Sequence, residues 1–106
     1  MTITVEFTLT HTGKEALVEE LRRGPHRIPL TFAEGAATAH VEPGLSYSAP
    51  WKLKGDIGAK IKVVWKAEGL QGTMIDGFID EATAMPWPEG PWLDQDSGLL
   101  PPLSRA

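Results

Sequence analysis

The sequence predicts an α+β domain, mainly an antiparallel β-sheet, on three observations. Apolar and polar residues alternate over most of residues 2–67. A helix-capping pattern interrupts that alternation once, after the first run, and the last twenty or so residues are crowded with proline and tryptophan. The expected architecture is a sandwich or partial barrel of five or six strands with one short helix after strand 1. Residues 1–85 form the domain, and residues 86–106 form a Pro/Trp-rich C-terminal arm.

The first strand is read from Thr2 to Thr10, where Ile3, Val5, Phe7 and Leu9 share one side and the threonines and Glu6 share the other. Thr12 then precedes Glu15 by three residues, the spacing of a reciprocal capping box, so a helix is expected from near Gly13. Leu17, Val18 and Leu21 supply its apolar stripe, Arg22 and Arg23 suit its carboxyl end, and Gly24-Pro25 stops it.

Beyond it, Ile28, Leu30 and Phe32 share a face, Ala33-Glu34-Gly35 offers a turn, and Ala37, Ala39 and Val41 share a face, which predicts a hairpin. Pro29 has no N–H to donate and places the first arm at a sheet edge. Leu45 to Leu53 continue the alternation, with Pro50 marking an edge or a bend. Ile61, Val63 and Trp65 alternate with Lys60, Lys62 and Lys66 in the next strand.

Residues 72–85 fit two readings. Met74, Ile75, Phe78, Ile79 and Ala82 lie on a helical stripe, yet Gly77 disfavours a helix and the isoleucines favour an extended chain, so an extended segment bent at Gly77 is preferred. After that, Pro86, Pro88, Pro91, Pro101 and Pro102 exclude a regular helix or a central strand.

At 106 residues, 42% hydrophobic and 23% charged, the chain is sized and composed for one globular core. Its net charge of -4 opposes nucleic acid and anionic membranes as partners. The absence of cysteine excludes disulfides and thiolate chemistry. The alternating N-terminus lacks the pattern of a secretory signal, and no run approaches the roughly 20 apolar residues of a spanning helix, so a cytoplasmic protein is expected. No metal-ligand or cofactor-binding motif is found, and neither a metal nor a cofactor is expected.

Three groups of side chains are candidates for function. Lys52, Lys54, Lys60, Lys62 and Lys66 would project from one face of a hairpin around Gly55 to Gly58, as a basic stripe for phosphate backbones or an acidic protein partner, or, as favoured, an ordinary solvated face. His40 and Glu42 share the polar face of one strand, which would set the carboxylate to orient the imidazole as a general base, with Asp76 a further carboxylate. Trp87 and Trp92 stand in the proline-rich arm, where they would anchor it to its own domain or grip a partner, whereas Trp51 and Trp65 belong to the core.

A non-enzymatic protein-interaction module, such as an assembly subunit or an inhibitor of another protein, ranks first among the functions these features allow. A small-molecule or carbohydrate-binding domain is second. A barrel-type enzyme using a His/carboxylate pair is third. A protein partner or self-association is expected, with no nucleic acid and no membrane.

Overall fold

The computed structural model describes residues 2–80 and 92–103, with the backbone alone over 92–97. Among the described residues nine strands run in chain order: β1 (Ile3–His11), β2 (Glu15–Leu17), β3 (Glu20–Arg23), β4 (His26–Pro29), β5 (Ala36–Val41), β6 (Tyr47–Lys54), β7 (Lys60–Ala67), β8 (Leu70–Phe78) and β9 (Trp92–Leu100). One sheet has the order β5-β1-β7-β8. In the other, β6 pairs with β2 and β3 on one flank and with β9 on the opposite flank, and β4 lies outside β3. Every pairing is antiparallel. The inward residues of both sheets form a single buried cluster, so the architecture is an all-β sandwich.

The helix expected after the first strand is not found, and the described residues are all-β rather than α+β. Local contacts explain why. The Thr12 hydroxyl accepts the Lys60 N–H at 2.9 Å instead of capping a helix, and the Lys14 N–H donates to the Lys54 carbonyl at 2.9 Å. Gly13 has φ +97°, and an added Cβ would stand 2.8 Å from the Lys54 carbonyl oxygen, which ties this glycine to the end of β6. Gly24-Pro25 is not a helix stop but the two-residue turn of the β3–β4 hairpin, with Arg23 opposite His26. Its positive φ at Gly24 (+56°) and the fixed φ of proline suit a type II′ turn.

Two expected hairpins are also replaced. β4 pairs with β3 and β5 pairs with β1, so the turn at Glu34-Gly35 closes only one bridge, between Ala33 and Ala36. β6 and β7 lie in different sheets. Besides β3–β4, a hairpin forms at β7–β8, closed by Glu68-Gly69, both at positive φ as a type I′ turn requires.

Irregularities fall where the sequence breaks its own alternation. Val63 faces Ile75 and Val64 faces Thr73, which leaves Met74 as the extra residue of a bulge on β8. Both Met74 and Ile75 are thereby buried. Pro50 lies in β6, flanked on both sides, and not at an edge. The register slips by one residue on β9 between its neighbours Ala49 and Trp51, and β2 and β3 are interrupted on the other flank. A missing N–H is tolerated at such a break.

The sheets lock together through a ring on a glycine. Gly77 of β8 faces inward without a side chain, and the Trp51 indole of β6 fills the space, so that a Cβ on Gly77 would stand 2.6 Å from its ring. Within the first sheet, the Trp65 ring lies over Gly72 in the same manner. At the neighbouring corner, a Cβ on Gly98 of β9 would meet Ile75 of β8 at 2.7 Å, bringing those two strands together. On the opposite side, no strand pairing joins β4 to β5 among the described residues.

Candidate functional site

The β5 side of the sandwich is defined by the hydrogen-bond parity of that strand. Antiparallel pairs alternate between those that exchange backbone hydrogen bonds and those that do not. Leu9 N–H donates to the Gly35 carbonyl at 2.7 Å, so the bonded pairs continue as Phe7 with Ala37 and Val5 with Ala39. The backbone groups of Ala36, Thr38 and His40 therefore point away from β1. Those of Ala36 exchange hydrogen bonds with Ala33 (2.9 and 3.1 Å), and beyond the strand's other end the Glu42 N–H donates to the Tyr47 hydroxyl at 3.0 Å. Between these two closures, the outward N–H and C=O of Thr38 and His40 meet no strand among the described residues.

This stretch also lacks the devices that usually protect an edge. β5 reads Ala36-Ala37-Thr38-Ala39-His40-Val41, without lysine, proline or a bulge, whereas β4 is four residues long and carries Pro29.

A cavity of about 500 Å³ adjoins the His40 end of β5. The β3–β4 hairpin lines it with Arg23, His26 and Arg27, the end of β5 and the residue after it with His40 and Glu42, and β6 with Tyr47, while Ile28 and Leu45 add apolar surface. The Thr4 hydroxyl and His40 Nδ1 are 3.1 Å apart across the β1–β5 pair, which fixes the imidazole and leaves Nε2 available. His40 and Glu42 both line this cavity, with Glu42 one residue beyond the end of β5. Asp76 does not join them. It faces Lys62, which faces Thr10 of β1, whereas His40 faces Thr4, about 20 Å further along at roughly 3.4 Å per residue.

The arginines of the hairpin are organised by Glu20. Arg22 and Arg27 face each other across β3 and β4; the Arg22 Nε bonds the Glu20 carboxylate and Arg27 approaches it at 3.6 Å. The Arg22 hydrogen bond holds the Glu20 carboxyl below the usual glutamate range, aided by the charges of both arginines and opposed by partial desolvation. A depressed folded-state value stabilises the protein above the ordinary glutamate pKa, and the gain is lost as pH falls through the depressed value. In acid titrations of stability below about pH 4.5, Glu20→Gln should remove part of the slope; an unchanged slope would mean the contact is not maintained in solution.

The lysine stripe is divided. Lys52 and Lys54 point from the outer face of one sheet, and Lys60, Lys62 and Lys66 from the outer face of the other, because Trp51, Leu53, Ile61, Val63 and Trp65 between them enter the same core. Carboxylates stand opposite several of them: Glu15 faces Lys54 at 3.7 Å, Asp76 faces Lys62 and Glu6 faces Lys66. Trp87 lies outside the described residues. Trp92 begins β9, opposite Lys54, so this part of the expected C-terminal arm is a strand of the second sheet.

A second depression, about 330 Å³, lies over Pro50 where β2 and β3 are interrupted, bordered by Leu17, Glu20 and Lys52. Among the described residues no cluster of three or more histidine, aspartate or glutamate side chains is placed to hold a metal ion, and no helix is long and apolar enough to cross a membrane. The described residues thus form an antiparallel β-sandwich in which β5 is an edge strand with a cavity lined by arginine and histidine beside it. No protein family, no curated protein and no solved structure matches the chain.

Proposed function

We propose that this domain is a non-enzymatic protein-interaction module that takes an extended segment of another chain along β5. The observation that carries this reading is the pair of outward backbone donors and acceptors at Thr38 and His40, set two residues apart as an added strand requires. The same residues face solvent with their side chains, and nothing bulky on β5 opposes an approaching strand. A catalytic reading has less support, because the His40 imidazole is oriented by a threonine hydroxyl rather than by a carboxylate.

The test is selection of binders from a library of linear dodecapeptides displayed on phage, followed by hydrogen exchange. In the free protein the Thr38 and His40 amides should exchange faster than those of Ala37 and Ala39, and a bound peptide should slow them. Thr38→Pro removes the outward donor while leaving the β1 pairing, which Thr38 does not bond, in place. It should weaken selected peptides by about tenfold or more, as expected for at least one hydrogen bond lost to an unpaired carbonyl. Peptides methylated on the amides that face β5 should lose binding to the unaltered protein. Recovery of no binder, or of binders indifferent to both changes, would overturn the reading.

A further inference from the structure

We infer that the cavity at the His40 end of β5 selects an acidic side chain of the docked segment, so that the partner is an extended, carboxylate-bearing peptide stretch. The inference rests on the edge-docking reading and adds the chemistry of what docks. In a strand added to β5, every second side chain points toward the β4 side of the sandwich. There the cavity presents two arginines and two histidines against one glutamate, a local reversal of sign in a chain of net charge -4.

The cationic groups have capacity for a ligand. Arg23 makes no ion pair with a described residue, and it is positioned beside the Gly24-Pro25 turn. Arg27 also borders the cavity while meeting Glu20 at 3.6 Å. The Tyr47 oxygen accepts the Glu42 N–H, and its own O–H is left to donate. Ile28 and Leu45 suit the methylene stem of a glutamate better than a free inorganic anion. A second copy of this chain fits less well, since β5 contains no carboxylate to deliver into the cavity.

The experiment compares a selected peptide containing glutamate or aspartate with its glutamine or asparagine twin, by calorimetry at 50 and 300 mM sodium chloride. Against the unaltered protein the acidic peptide should bind at least about tenfold more tightly at low salt, and the advantage should shrink at high salt. The charge reversals Arg23→Glu and Arg27→Glu, together, should abolish the advantage and leave the neutral twin unaffected, with circular dichroism showing the fold retained. If the fold is lost, the milder Arg23→Gln should still reduce the preference.

Thr38→Pro should weaken both peptides, which separates the two ideas. Loss on Thr38→Pro with equal binding of acidic and neutral twins keeps edge docking and overturns the acidic preference. Loss on charge reversal with indifference to Thr38→Pro overturns strand addition and marks the cavity as a general anion site, as would full competition by 10 mM phosphate or acetate. Sedimentation showing a dimer that the peptide dissociates would assign the edge to a second copy and overturn the inference.

Discussion

Trp51→Ala should destabilise the domain by about 3–5 kcal/mol, the usual cost of emptying a large aromatic site in a core. The indole is 4% exposed and stands over Gly77 of the facing sheet, so the opposite side offers no side chain to collapse into the vacancy. Since small domains have only about 5–15 kcal/mol of net stability, this one change should bring the protein close to unfolding at 37 °C. Urea denaturation followed by circular dichroism measures it. A loss below about 1 kcal/mol, typical of surface positions, would show that the ring does not tie the sheets together.

The reverse change at the same contact should fail for the opposite reason. Gly77→Ala adds a Cβ 2.6 Å from one ring carbon of Trp51 and 2.7 Å from another, so either the indole or β8 must move. Overpacking of this kind costs about 1–3 kcal/mol, only partly offset by the 0.4–1 kcal/mol, roughly, that alanine gains through a less flexible unfolded chain. A fall in Tm of roughly 5–10 °C is expected at about 4–8 °C per kcal/mol. In a Trp51→Phe background the smaller ring leaves room, and the penalty should shrink. Additive losses in the double variant would place the clash elsewhere.

Which features could be read from residues alone follows from where their causes lie. β1 was legible because Ile3, Val5 and Phe7 alternate with solvent-facing Thr4 and Glu6, a pattern set by one strand's own pleat. β5, β6 and β7 were legible for the same reason. Residues 13–23 were not: the kink between β2 and β3 spoils the two-residue period, and Leu17, Val18 and Leu21 then imitate a helical stripe. The contact that decides against a helix, Gly13 on the Lys54 carbonyl, is forty-one residues away in sequence. The Gly24-Pro25 signal was present locally but fits a helix stop and a hairpin equally well. In β8 the consecutive buried pair Met74-Ile75 kept a helical stripe in play because a bulge turns both inward, while the preferred extended reading matches the strand over Leu70–Phe78.

The site divides similarly. His40 and Glu42 were placed together by alternation, while Arg23, His26, Arg27 and Tyr47 reach the same cavity only because the β3–β4 hairpin folds back and β5 crosses to the other sheet. The openness of Thr38 and His40 depends on sheet order, which no local pattern encodes. The lysine stripe failed as a single surface because the β6–β7 connection passes between sheets instead of turning within one.

The two tryptophan–glycine stacks also equip the molecule with separate magnetic probes. Protons held close to an indole are displaced by its ring current, so the α-protons of Gly77 and Gly72 should resonate away from those of ordinary glycines. The Gly72 stack lies between neighbouring strands of one sheet, whereas the Gly77 stack joins the two sheets. As denaturant is added, loss of the Gly77 shift before the Gly72 shift would mean that the sheets part while strand pairing survives. Simultaneous loss would mean that the sandwich opens as one cooperative unit.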